Sequence, residues 1–343
     1  MKNNVNSLKV CAVIVTYADR FHLLKEVIDN CISEGIDKVI IIDNNSVENS
    51  KTKLKDLEIK ISDRLEVVYL EENIGSAGGY NLGIEKAHTD KNCEFIWLLD
   101  DDNKPEKNSL RILVNFWNEI EQKDKKEKIS LLSYRKDRAV FREAVIKNNP
   151  NLVIGSKNSF LGFHFLELPQ KVFKLIKRKL NIKNFGEDIN IKSGKVSVAP
   201  YGGLFFHKNI IDTIGLPNKD FFVYADDHEW SYRITKNSGA IYLVLESIVN
   251  DIDTSWILKN KATSPFYSYL NEGTDFRVFY TIRNRVYFEQ NLIDNRFLYN
   301  INKKLYFFIL SFYKRQENYH RYRIFQTAVN DGLVSKLGKL SKY

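Results

Sequence analysis

FIWLLDDDNKP, residues 95–105, sets five apolar and partly aromatic residues directly before three carboxylates, Asp100, Asp101 and Asp102. The apolar run reads as a buried strand. Charge at the end of such a strand is costly unless something cancels it. The carboxyl ends of strands in an open α/β sheet are also where ligands bind. In an extended chain Asp100 and Asp102 point to one side and Asp101 to the other, so the first and third can share one divalent cation. Acids that merely cap the next helix would give the same triplet, and the triplet alone leaves both readings open.

Working outward, Val10–Thr16 (VCAVIVT) is a continuous β-branched run, the mark of a strand covered on both faces. Leu24, Val27, Ile28 and Cys31 follow at helical spacing, and Gly35 ends that helix. Lys38–Ile42 reads as a second buried strand running into Asp43, and Leu65–Leu70 as a third. The glycine-rich stretch Asn73–Gly83 and a short helix to His88 then lead into the aspartate strand. Such alternation predicts a parallel, doubly wound sheet. The first strand–helix turn, Tyr17-Ala18-Asp19-Arg20, has no glycine, which argues against a dinucleotide site. Gly75, Gly78, Gly79 and Gly83 suit backbone approach to a diphosphate, and equally a tight turn before a helix.

The second half repeats the pattern. Val198–His207 regains strand character, and Phe221–Tyr224 leads into Asp226-Asp227, with Glu229 and Arg233 one turn apart on the following helix. A second acidic cluster after an apolar run fits a general base set beside a metal site. A capped helix start, Asp226 at the N-cap and Glu229 at the third position, is compatible with it. Tyr242–Val249 is another strand, ending in Asn250-Asp251-Ile252-Asp253.

Composition narrows the partners. The chain has 343 residues, 43% of them hydrophobic and 28% charged, ordinary for a folded protein with a sizeable core. Cys11, Cys31 and Cys93 lack metal-ligand spacing and read as core residues in a reducing compartment. Met1–Lys9 has no signal-peptide core, and nowhere do 18 apolar residues run together, so the expectation is a cytoplasmic chain without a membrane span. Net charge is +9, which suits an anionic partner. The aromatics cluster in apolar runs and are not interleaved with Lys and Arg, which argues against nucleic acid.

VIVTYADR, IIDNNS, NIGSAGGYNLGIEKA and WLLDDDN follow one another in the order and at the spacing of the GT-A-fold family 2 glycosyltransferases, and YGGLFF, FFVYADDHEWSYR and YTIRNRVYF continue the match. AVNDGLVSKLGK resembles the ending shared by rhamnosyl- and galactofuranosyl-transferase members. The resemblance covers nearly the whole chain apart from about 120–195. It implies a Rossmann-like α/β catalytic domain over 1–255, its mostly parallel sheet flanked by helices, with a basic, partly helical insertion at about 120–195. A mostly helical C-terminal region, 256–343, is implied after it.

The resemblance also implies roles. Thr16, Tyr17, Asp43, Asn73, Gly75, Asn81 and Asp101 would border the nucleotide sugar, with Arg283 and Asn284 near its phosphates. Asp100 and Asp102 resemble the DxD aspartates that hold Mn²⁺ or Mg²⁺. Asp251 stands where members commonly carry a metal-binding His, and a carboxylate is a suitable hard ligand. Asp227 stands at the place of the catalytic base, with Asp226 and Glu229 orienting the acceptor. The implied reaction is an inverting transfer from a nucleotide sugar, UDP-galactofuranose or dTDP-rhamnose, to a glycan or polyprenyl-linked glycan of a cell-surface polysaccharide. The absence of QxxRW argues against a processive synthase. The competing readings are a nucleotidyltransferase, a nucleic-acid-binding protein and a non-catalytic relative that only binds donor. Two basic, apolar segments, Lys171–Leu180 and Leu305–Phe312, predict either surface helices of the core or attachment to an acidic inner membrane leaflet.

Overall fold

The computed structural model describes residues 8–169, 191–253 and 264–340, so Lys171–Leu180 lies outside the described residues. The chain divides into two units, the first made of 1–153 and 191–259, the second of 154–190 and 260–343. The region at about 120–195 is thereby shared between them.

The first unit opens with the expected alternation: β1 (Val10–Thr16), α1 (Phe21–Ser33), β2 (Lys38–Asp43), α2 (Glu48–Lys60), β3 (Leu65–Tyr69), α3 (Gly75–Thr89) and β4 (Phe95–Asp100). β1 pairs in parallel with β2 and β4, and β2 with β3. Successive side chains of β1 enter opposite cores. Cys11, Val13 and Val15 join Tyr80 and Ile84 of α3, while Val10, Ala12 and Ile14 join Leu24, Val27 and Ile28 of α1. A strand buried on both faces has no polar alternation to show, which is why its sequence is continuously apolar.

After β4 come β5 (Asn103–Pro105), α4 (Ser109–Glu119), α5 (Lys125–Lys128), β6 (Ile129–Tyr134), α6 (Ala139–Ile146), β7 (Ser193–Val196), β8 (Leu204–His207), α7 (Ile210–Ile214), α8 (Asp226–Lys236) and β9 (Ala240–Asp251). The strand order is β3-β2-β1-β4-β8-β6-β9-β5, with β7 also on β9. β8 runs antiparallel to β4 and β6, so the sheet is parallel through β1–β4 and mixed beyond. At the far end β5 pairs with β9 and sets Asp251 opposite Asn103.

Two local expectations change. The glycine-rich stretch is itself helix, since α3 begins at Gly75. Its glycines let the helix lie hard on the sheet: a Cβ at Gly79 would stand 2.7 Å from Val15 Cγ1, and one at Gly83 2.5 Å from Val13 Cγ1. Strand character at 198–203 also gives way, because Val198–Tyr201 is a buried loop and the strand starts only at Leu204, after Gly203 at φ +100°.

The described part of the second unit is helical, with α9 (Pro265–Asn271), α10 (Asp275–Glu289), α11 (Arg296–Ser311) and α12 (Tyr319–Leu333). Tyr280, Tyr299, Tyr306 and Phe325 form its aromatic interior, into which Phe160 inserts 5.2 Å from the Tyr306 ring. No helix among the described residues is long and apolar enough to cross a membrane.

Candidate functional site

Strand register builds the site. Thr16 stands beside Asp43, and Val15 beside Asp100, so the carboxyl ends of β1, β2 and β4 come level at one edge of the sheet. Asp43 is wholly buried there. Its Oδ1 accepts from the Ser46 backbone N–H at 2.8 Å, while its Oδ2, also buried, meets no donor. A buried carboxylate oxygen without a partner carries a desolvation cost that a ligand N–H would remove. Asn44 holds the wall beside it, accepting from Ile74 N at 2.8 Å and donating to Gly75 O at 3.0 Å, with Asn73 3.2 Å away.

The three aspartates of the triplet differ in their contacts. Asp101 is buried and fastened, accepting from the Thr16 hydroxyl at 2.8 Å and from Arg20 Nε at 2.9 Å. Burial raises it to about 6 even so. Asp102 is raised to about 7, by burial first and then by the charges of Asp100, Asp101 and Asp251. Two arginines knit the cluster. Arg20 reaches Asp101, Asp102 at 2.6 Å and Asp253 at 2.8 Å. Arg135, only 5% exposed, reaches Asp100 at 3.4 Å, Asp137 at 3.1 Å and Asp251 at 2.8 Å. Six carboxylates thus share two guanidiniums, and Arg138 touches Asp137 at the rim.

That excess of hard oxygen donors fits a divalent cation held by Asp100, Asp102 and Asp251. Among the described residues no three ligating side chains already converge on one point, so an ion would displace arginine contacts as it bound. Gly202 covers this corner closely: a Cβ there would lie 1.8 Å from Asn103 Oδ1 and 2.8 Å from Asp100 Oδ2.

The second acidic cluster joins the first through two tyrosines. The Tyr80 hydroxyl donates to Asp100 at 2.8 Å, and its ring stacks on Tyr201 at 3.9 Å. The buried Tyr201 hydroxyl faces Asp226, and burial first, then the charges of Asp226 and Asp227, raise its pKa. The loop before α8 is strained. Phe222 sits at φ 65°, ψ −60° while Val223 N donates to Phe221 O at 2.8 Å, a γ-turn of the uncommon hand. Tyr224 and Ala225 follow in the left-handed region at φ 67° and 60°. This loop is clamped to α3, with Ala77 N donating to Phe222 O at 3.1 Å and Asn81 to Pro217 O at 2.7 Å.

At the start of α8 the two aspartates differ. Asp226 is 3% exposed and, by burial and then by the charge of Asp227, is pushed well above the usual carboxylate range. Asp227 is half-buried, and its Oδ1 accepts from the His228 backbone N–H at 2.7 Å. Glu229 is bound on both oxygens by Arg233, at 3.0 and 2.6 Å, and Arg233 in turn donates to Ile214 O and Leu216 O. Tyr17 stands at the mouth, 47% exposed, with Arg20 5.6 Å from its ring centre.

The first unit therefore contains every expected site residue except Arg283 and Asn284, which are buried side by side in the second. Arg283 Nε donates to Asn284 at 2.8 Å and Nη1 to Gly338 O at 2.6 Å, and the guanidinium covers the Tyr280 ring at 4.7 Å. Residues the sequence did not single out are Arg20, Asn44, Tyr80, Arg135, Tyr201 and Asp253. Arg135 carried the same signal as Asp100, a charge directly after a buried strand, within a region without recognisable motifs.

Residues 11–124 match the model of the family described as glycosyl transferase family 2. Galactofuranosyltransferase GlfT1 of Mycolicibacterium smegmatis is 23% identical over 239 residues, 66% of each chain. Putative teichuronic acid biosynthesis glycosyltransferase TuaG of Bacillus subtilis is 35% identical over 79 residues, 23% of this chain and 29% of that protein. Among solved structures, GalNAc-T7 with UDP, GalNAc and Mn²⁺ aligns over 83% of this chain and 48% of its own at a TM-score of 0.53 and 14% identity. Residues 1–349 of S. aureus TarS with UDP-GlcNAc align over 95% and 81% at 0.52 and 13%. These likenesses establish the fold as that of GT-A glycosyltransferases. The chain spans less than two thirds of GalNAc-T7 and TuaG and about two thirds of GlfT1.

Proposed function

We propose, from the premise that this chain is a relative of the family 2 glycosyltransferases with a GT-A fold, that it moves a sugar from a nucleotide-sugar donor to a glycan or lipid-linked glycan acceptor in cell-surface polysaccharide synthesis. The observation that carries the reading is Asp43: a buried carboxylate oxygen without a donor, level with Asp100 at the sheet edge. A nucleobase N–H is the missing partner, with Tyr17 at the mouth and Asn73 and Gly75 walling the site. UDP-galactofuranose is the first donor to try, because a galactofuranosyltransferase is among the relatives, and dTDP-rhamnose the second.

The transfer is an inverting displacement, one sugar at a time. Asp227, the more accessible of its pair, takes the proton of an acceptor hydroxyl; that oxygen bonds to the anomeric carbon as the bond to the nucleoside diphosphate breaks. Asp226, whose carboxyl is pushed well above the usual range by burial and then by the charge of Asp227, orients the acceptor beside the base. Glu229 acts through Arg233, fixing the first turn of α8. Mn²⁺ or Mg²⁺ bound by Asp100, Asp102 and Asp251 would neutralise charge on the leaving diphosphate.

One observation favours a second version of the same function. Arg20 and Arg135 already reach the carboxylates assigned to the ion, which supports a version in which a guanidinium meets the diphosphate in the metal's stead. Thermal shift with a panel of sugar nucleotides, with and without Mn²⁺, followed by assay of nucleoside diphosphate release, tests both. Stabilisation and release that need Mn²⁺, and are lost in Asp102→Ala, support the metal-dependent version; release that survives excess chelator supports the arginine version. No shift and no release with any donor would overturn the function itself.

A further inference from the structure

Helix α11 is apolar on two opposite faces. Tyr299, Asn302, Tyr306 and Leu310 recur every three or four residues and are buried in the second unit. Half a turn round the helix lie Phe297, Ile301 and Phe308, continued by Phe312 just past its end. Phe297 is 75% exposed, Phe308 61% and Phe312 70%. A single exposed aromatic is ordinary, but three on one face form a patch, the last two with rings 5.0 Å apart.

Positive charge surrounds it. Lys304 is exposed on the same face, and Lys314 and Arg315 follow the helix end. On the flank toward α12, Lys303 and Phe307 line a cleft of about 250 Å³ with Arg323, Gln326, Thr327 and Asn330. The asymmetry extends to the whole unit. Its residues include 21 Lys and Arg against 9 Asp and Glu, leaving 31 against 34 in the first unit, so the entire basic excess of the chain belongs to the second.

We propose that the outward face of α11 rests on an anionic lipid bilayer, its phenylalanines at the headgroup boundary and its flanking cations on lipid phosphates. An aromatic stripe among Lys and Arg is the composition that binds such an interface, where apolar burial and charge attraction act together. A second copy is the poorer occupant, because it would bring an equally basic unit against this one. The inference is independent of the donor reading, since it rests on residues of the second unit alone.

Flotation of the full chain with phosphatidylcholine vesicles, with and without phosphatidylglycerol, tests it. The chain is expected to float with phosphatidylglycerol at low salt and to be released at high salt. F308S with F312S should weaken partitioning by about tenfold or more, and K304E with R315E should do likewise, with melting temperature and circular dichroism unchanged. Failure of the wild type to float with anionic vesicles, or flotation undiminished in both variants, would overturn the proposal. So would a wild-type dimer that F308S with F312S converts to monomer, which would assign the face to a second copy.

Discussion

At the residue scale the site contrasts carboxylates already satisfied with carboxylates left waiting. Asp101 and Glu229 are spent on Arg20 and Arg233 within the protein. Asp43 Oδ2 is not. Replacing Asp43 by Ala should therefore weaken nucleotide-sugar binding by about tenfold or more, the scale of one hydrogen bond to a charged group, with the fold intact. Isothermal titration with the donor found by the panel checks it, and unchanged affinity would remove the base from this carboxylate. Asp227→Asn should behave oppositely, lowering kcat about a hundredfold or more while donor affinity stays near wild type. Single-turnover assay beside donor titration separates the two effects; loss of donor binding would make Asp227 part of the donor site. The aspartate triplet was legible because the charge stands next to the buried strand in sequence. Arg20 was not singled out, although it lies in the quoted VIVTYADR, because its partners are set by folding: Asp101 is 81 residues away and Asp253 is 233.

At the element scale, α3 and the loop before α8 act as one joint. Gly75 is in the left-handed region at φ +78°, and a Cβ there would stand 2.0 Å from the Phe222 carbonyl oxygen, a backbone atom with little room to retreat. Gly75→Ala combines backbone strain with a steric clash and should cost about 2 kcal/mol or more. A lower urea midpoint at an unchanged slope measures it; an unaltered midpoint would mean that the joint gives way freely. Because that joint carries Phe222–Ala225 into Asp226 and Asp227, the same substitution should lower turnover beyond the loss of folded protein. The sequence left Asn73–Gly83 as a stretch for diphosphate approach or a tight turn before a helix, whereas from Gly75 onward it is helix. Glycines at 79 and 83 face Val15 and Val13, and only the packed sheet shows that their use is close approach of helix to strand.

At the scale of the whole molecule, stability toward acid has an identifiable contributor outside the site. His207 ends β8 with its ring edge-on to Phe95 at 5.0 Å. Burial, and then the charge of Lys126, push it from 6.5 down to about 4. The unfolded chain takes up this proton near pH 6.5 and the native protein only near 4, so the contribution is present above 6.5 and is lost as pH falls between them. About 1–3 kcal/mol should disappear over that window. Melting temperature against pH should fall more gently in His207→Gln than in wild type; identical slopes would assign the acid limb to other groups.

What the sequence determined by itself was whatever short-range pattern can carry. Continuous apolar runs gave strands buried on both faces and acids directly after them marked the sheet edge, while the helices of the C-terminal region were implied only by the family resemblance. Tertiary structure alone decided which charges meet. The register of β5 on β9 brings Asp251 to Asn103, Arg135 reaches Asp100 and Asp251 from the end of β6, and the Tyr80–Tyr201 stack links the two acidic clusters. It also decided which face of α11 is buried, since Tyr306 and Phe308 look equally apolar in sequence and only one of them has a core to enter. Local propensity is a property of neighbours along the chain, whereas a carboxylate's partner, and the cost of leaving it without one, are set by what folding brings within hydrogen-bond reach.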